Sequence, residues 1–186
     1  MRIGFALCGS FCTFAQVFPI MEALAKSHRI TPIFSPVCCC TDSRFGTAAE
    51  HLKRAADICG EVPLTTIAQV EPIGPKQLLD ALIIAPCTGN TLAKLAHGIA
   101  DTSVTMAAKS HLRNARPVLI AVSTNDALAA ASENIGRLLA RKHYYFVPHR
   151  QDDAIGKPTS MVADFQKIPD ALMAAMEGRQ LQPILL

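Results

Sequence analysis

The sequence predicts one α/β domain over residues 1–186, with a three-layer, doubly wound, mostly parallel sheet carrying helices on both faces. Three observations predict it. Short apolar runs of strand length alternate with stretches of helical period, which implies parallel βαβ units joined by right-handed crossovers. Hydrophobic residues make up 50% and charged residues 18%, enough to bury one substantial core. Several of the apolar runs end in clusters of small polar residues, as strands do when their carboxyl ends line a ligand crevice.

The elements follow in order. Residues 3–7 form a buried first strand that ends at the Gly9-Ser10 turn. Thr13-Phe-Ala-Gln16 fits a capping box, with Thr13 as N-cap and Gln16 reaching back. Phe14, Val17, Phe18, Met21 and Leu24 continue that helix to about residue 27, and Pro19 is expected to kink it or shift its start. Residues 29–35 form the second strand, followed by a loop over 35–46 and a helix over 47–59. The Pro-rich segment 62–75 reads as irregular, with at most one short strand. Residues 79–85 form the next core strand, 90–98 its helix and 102–114 a further helix. A strand over 117–123 starts at a proline, where no ladder donor is needed. A helix over 125–142, a strand over 144–147 and an amphipathic last helix over 160–177 complete the chain.

The stretch 81–94 points most directly to function. An apolar strand breaks at Pro86, passes through Cys87-Thr88-Gly89 and enters a helix at Asn90-Thr91. A helix N-terminus beyond a strand end favours an anion, commonly a phosphate. Gly9-Ser10, Ser35 and Ser123-Thr-Asn-Asp126 are expected on the same rim, with Ser10 and Thr13 as hydroxyl donors. Gly89 would free the backbone, Thr88, Asn90 and Thr91 would cap or donate, and Lys94 stands one helical turn beyond Asn90. Each cluster alone also reads as a plain turn or N-cap; their convergence favours a site. The polar loop from His149 to Pro158 reads either as a segment over that site or as a solvated connection.

Other classes find less support. The glycine spacing matches neither the dinucleotide fingerprint nor the Walker phosphate loop. Seven cysteines, three of them adjacent at 38–40, show no paired C-x-x-C spacing and read as reduced, mostly buried thiols. The six histidines form no H-x-x-x-H or H-E-x-x-H, so no metal site is expected. A net charge of +3 and 5% aromatics do not suggest a nucleic-acid surface. No apolar run reaches the length of a membrane span or of a signal sequence, and a cytosolic protein is expected.

At these residues a resemblance enters. Ala85-Pro-Cys-Thr-Gly-Asn-Thr-Leu-Ala-Lys94 resembles the A-P-x-S-A-N-T-x-A-K motif of the flavoprotein family, which includes phosphopantothenoylcysteine decarboxylase. Gly9-Ser10 matches that family's phosphate-proximal turn, and Ser123-Thr-Asn125 stands where it carries P-A-M-N. Further stretches are similar to one branch, the dipicolinate synthase B subunits: Leu7-Cys-Gly-Ser-Phe-Cys-Thr13, Thr41-Asp-Ser-Arg-Phe-Gly46, Glu71-Pro-Ile-Gly-Pro75, Met106-Ala-Ala-Lys109, Leu112-Arg-Asn114, Ser123-Thr-Asn-Asp-Ala127, Gln151-Asp-Asp153 and the tail Gln180-Leu-Gln-Pro-Ile-Leu185. The resemblance implies a flavodoxin-like fold, a homo-oligomer and FMN held by Gly9, Ser10, Thr13, Ser35, Pro86, Thr88, Gly89, Asn90, Thr91, Ser123, Thr124 and Asn125. It implies Arg44, Lys94 and Lys109 as candidates for a dicarboxylate substrate or phosphate. It also implies oxidation of a dihydro- or hydroxytetrahydro-dipicolinate to dipicolinic acid in the mother cell of a sporulating bacterium. The companion A subunit would carry NADP. The decarboxylases' catalytic His is replaced by Glu71-Pro-Ile-Gly-Pro75, which leaves the catalytic residues unassigned and two alternatives open. One is a non-catalytic partner that activates the A subunit through a degenerate flavin site. The other, more distant, is a flavin-dependent cysteine decarboxylase.

Overall fold

A computed structural model describes residues 1–186. A mostly parallel sheet is sandwiched between two helical layers, as expected. Its strands are β1 (Arg2–Leu7), β2 (Arg29–Phe34), β3 (Ala81–Cys87), β4 (Val118–Thr124), β5 (Tyr144–Phe146), β6 (His149–Arg150) and β7 (Met161–Ala163). The helices are α1 (Phe14–Ala25), α2 (Pro36–Cys40), α3 (Ala48–Cys59), α4 (Ile67–Val70), α5 (Gly89–His97), α6 (Ser103–Leu112), α7 (Ser132–Leu139) and α8 (Ile168–Met176). The strand order is β2-β1-β3-β4-β7-β6, with β5 pairing parallel to the start of β4 and β7 antiparallel to its end.

Side-chain alternation along the strands builds one core on each face. Phe5, Ile83, Leu119 and Ala121 point to the layer of Phe14, Phe18, Met21 and Leu172. Ala6, Leu82, Ile84, Ile120 and Val122 point to the layer of Leu92, Leu95, Val104 and Leu138. Because β1 to β4 run parallel, their carboxyl ends share one edge. That edge carries the polar clusters.

Several local expectations are corrected. The chain enters α1 through a 3-10 turn over Phe11–Thr13, so Thr13 is already near-helical and forms no capping box; its hydroxyl donates to the Ser10 carbonyl at 2.8 Å. Pro19 stays inside α1 on its exposed face. The loop expected over 35–46 contains α2, so Cys38, Cys39 and Cys40 lie on a helical turn, with Cys38 buried and Cys40 exposed. Segment 62–75 holds α4, which Thr66 and Gln69 cap reciprocally, and a 3-10 turn; its only strand-like feature is one bridge from Leu64 to Ile33. The long helix expected over 125–142 is confined to α7. Residues 125–131 form turns, and Thr159 pins them by donating its hydroxyl to the Asn125 carbonyl while its own carbonyl accepts from Leu128. The last helix starts at Ile168 and not at residue 160, because Met161–Ala163 is taken into the sheet beside Ser123 and Thr124.

One buried group makes the fold pH-sensitive. His111 on α6 is fully enclosed; its Nε2 meets the Pro117 carbonyl at 3.1 Å, and its Nδ1 is buried without a partner. Burial pushes its pKa down from 6.5 to about 4. Folding favours the neutral ring, so this contribution to stability is complete above the unfolded value and is lost as pH falls toward the folded one. We predict a loss of up to about 3 kcal/mol from this group between neutral pH and pH 4. Urea midpoints across that range, read beside the NMR titration of the ring, check it; a ring titrating at its ordinary value would refute it.

Candidate functional site

Four strand ends converge on one rim. Gly9 and Ser10 follow β1, Ser35 follows β2, Thr88 follows β3, and Ser123 and Thr124 end β4. The Ser10 and Ser123 hydroxyls lie 2.8 Å apart and tie the ends of β1 and β4. The Cys8 amide donates to the Pro86 carbonyl at 3.3 Å, and the Ser35 amide to the Leu7 carbonyl at 3.0 Å. These bonds tie the rim together across four strands.

Two adjacent cavities open there and share Gly9 and Thr88 as a common wall. The larger, about 390 Å³, is lined by Ser10, Thr13, Ser123, Thr124 and Asn125, with Phe11, Phe45, Met161 and Val162 giving it an apolar side. The smaller, about 210 Å³, is lined by Ser35, Asn90, Thr91, Lys94 and Thr102. Most of the expected residues are therefore brought together, in two compartments. Pro86 is buried in β3 and contributes only its carbonyl. Gly89 lines neither cavity but sets the wall: a β-carbon there would lie 2.7 Å from an Asp126 carboxylate oxygen and 2.8 Å from the Thr124 hydroxyl. Thr124 in turn donates a short hydrogen bond to Asp126. The carboxylate thus stands beside the start of α5, where a bound anion was expected. Asp126 complements the positive end of that helix.

Of the three candidate cations, only Lys94 faces the rim, and its Nζ is held 2.8 Å from Asp101. Arg44 stacks on the Phe45 ring, 4.9 Å from its centroid, between two residues that line the larger cavity. Lys109 is not brought to the rim; it lies on the far side of α6, in a separate cavity beside β5.

The cation of the larger cavity is Lys157, which sequence reasoning did not single out. It pairs with Asp152 at 3.2 Å. A Ser160 hydrogen bond, and then Lys157, hold the Asp152 carboxyl below its ordinary range. The loop between β6 and β7 therefore forms one wall of the site. The only sequence signal was its density of polar residues, which a solvated connection would share.

The thiols beneath the rim are neutral. Burial pushes Cys8 up to about 11, although it accepts a hydrogen bond from Thr91 at 3.3 Å. Cys38 is pushed up to about 12 by burial, beside Ser35 at 3.2 Å, and Cys87 rises well above its ordinary value. Such thiols act as small apolar groups, not nucleophiles. Cys12 differs: it is exposed and lines the larger cavity. No histidine lines either cavity. Glu71-Pro-Ile-Gly-Pro75 packs on α6 instead, where the Gly74 amide donates to the Ser110 hydroxyl at 2.8 Å and the Asn114 side chain donates to the Gly74 carbonyl at 2.9 Å.

Comparison with known proteins places this architecture. The Flavoprotein family model matches residues 1–178. The dipicolinate synthase B subunit of Bacillus subtilis is 44% identical over 186 residues, covering all of this chain and 93% of that protein. The crystal structure of the dipicolinate synthase B subunit from Bacillus halodurans superposes with a TM-score of 0.91 at 41% identity, over all of this chain and 95% of that one. The FMN-dependent cysteine decarboxylase SpaF superposes with a TM-score of 0.66 at 25% identity, covering 94% of this chain and 97% of that one.

Proposed function

The chain belongs to the flavoprotein family, in the branch of the dipicolinate synthase B subunits, and from that premise we propose that it binds FMN at the rim and works with an A subunit to form dipicolinic acid. The observation that carries the reading is the pair of cavities joined at Gly9 and Thr88, lined by hydroxyls at the carboxyl ends of four parallel strands. The residues present fit the cofactor. Ser35, Asn90, Thr91 and Lys94 offer donors and one cation, suited to a phosphate lying against the Gly9 turn that both cavities share. Ser10, Thr88, Ser123 and Thr124 offer hydroxyls for a ribityl chain, and Phe11, Met161 and Val162 offer apolar surface for a ring. When bound, FMN supplies a two-electron acceptor for dehydrogenation of a partly reduced pyridine dicarboxylate. Lys157 would hold a substrate carboxylate in the larger cavity by exchanging its partner Asp152. The A subunit with NADP, a homo-oligomer and a role in sporulation complete the proposal.

Titration of the purified chain with FMN tests the cofactor. The flavin spectrum should shift on binding, and the melting temperature should rise with FMN concentration as linkage requires. Absence of both would sink the cofactor half of the proposal. Mixed with an A subunit and the dihydro substrate, the bound flavin bands should bleach.

A second reading is favoured by the absence of a histidine, and of any reactive buried thiol, at the cavities. In that reading the chain docks to the A subunit and activates it without turning over flavin. An A subunit that needs this chain for full rate, in a mixture whose flavin never bleaches, would establish it.

A further inference from the structure

At the opposite end of the sheet from the rim lies a second concavity of about 440 Å³, between the end of α5, the outer half of α6 and the turn into β5. Leu95 and Leu112 supply apolar surface, and Lys109, Lys142, His143 and Tyr144 surround it. No carboxylate lines it. The molecule has eight ion pairs, and none uses Lys109, Arg141 or Lys142.

Arg141 has a structural task. Its guanidinium donates to the Leu95 carbonyl at 3.1 Å and the Ala96 carbonyl at 2.7 Å, which offsets the negative end of α5. Lys109 and Lys142 are left as two exposed cations on one concave surface, with no protein acceptor. Tyr144 adds a partly buried ring whose hydroxyl has no hydrogen-bond partner in the protein; burial raises its pKa to about 12, so it remains a donor. His143, in the turn, holds a left-handed backbone at φ 69°, a conformation that non-glycine residues keep where surrounding structure imposes it, often at binding sites. Two unpaired cations over an apolar, aromatic-sided hollow repel one another until an anion enters.

We propose that this cavity is a second ligand site for a small organic anion that carries a flat ring and at least two negative charges, the charges taken by Lys109 and Lys142 and the ring by Leu95, Leu112 and Tyr144. Ring dicarboxylates and nucleoside diphosphates share that chemistry. The site does not depend on flavin binding at the rim.

NMR titration of the full-length chain with pyridine-2,6-dicarboxylate, with adenosine diphosphate and with inorganic phosphate tests it. At least one of the two ring-bearing anions should shift the amides of Lys109 and of Lys142 to Tyr144, and the responsive probe identifies the source. Exchange of both lysines, Lys109→Met with Lys142→Met, should weaken that probe about 100-fold, roughly tenfold for each charge-assisted contact. Lys53→Met, on the exposed face of α3 and outside this cavity and the two at the rim, should leave it unchanged. The lysines are exposed, so the double variant keeps its fold, which circular dichroism verifies. Shifts confined to the rim, an affinity indifferent to the double exchange, or inorganic phosphate binding as tightly as the ring-bearing anions would each overturn the proposal.

Discussion

Gly74→Ala is expected to lower the stability of the fold by about 3 kcal/mol, the upper range for forcing a methyl group into a packed contact. A β-carbon at Gly74 would overlap the Ser110 carbonyl oxygen and lie 2.7 Å from the Ser110 hydroxyl. That hydroxyl already accepts from the Gly74 amide and donates to the Glu71 carbonyl at 2.6 Å, so it has no free direction to yield. The obstructing atom is backbone of α6, and α6 packs Val104, Ala107 and Ala108 into the core. Removing the hydroxyl in a Gly74→Ala, Ser110→Ala pair should therefore recover only part of the loss. Urea denaturation of Gly74→Ala, of Ser110→Ala alone and of the pair decides it, and full recovery in the pair relative to Ser110→Ala would show that the side chain, not the helix backbone, sets the contact. The segment Glu71–Pro75 is thus a latch on α6.

How far the sequence reveals this molecule depends on which interactions set each element. The parallel core strands were legible because residues such as Ile83 and Ile120 form apolar runs whatever their neighbours do. The rim was legible for the same reason, since Gly9-Ser10, Thr88 and Ser123 sit where those runs stop. What sequence misread was set by distant contacts. Met161–Ala163 has helical periodicity, yet its backbone pairs with Ser123 and Thr124. Residues 125–131 read as helix, yet Thr159 holds them in turns. Lys109 lies on a helix that starts near the rim, and only the direction of α6 shows that it ends in another cavity. Lys157 reaches the rim because β6 and β7 fold back beside β4, a placement no local pattern encodes.

Lys157 carries the largest functional effect expected. In the proposed reaction the substrate brings two carboxylates into the larger cavity, where Lys157 is the one cationic lining residue. Its present partner, Asp152, is an exposed carboxylate that also bonds Ser160, so it can release the ammonium and keep a partner. Lys157→Met should raise KM for the dicarboxylate about 10- to 100-fold, the range of one charge-assisted hydrogen bond, with a smaller change in kcat. Asp152→Asn should act in the opposite sense. The amide keeps a hydrogen bond to Ser160 but no longer competes for Lys157, so KM should fall. A purely structural ion pair would behave differently: both substitutions would loosen the loop between β6 and β7, and KM would rise in both. Steady-state kinetics of the two variants, beside their FMN affinities, separates these cases. Opposite shifts in KM at equal flavin affinity assign Lys157 to the substrate, and parallel shifts assign it to the loop.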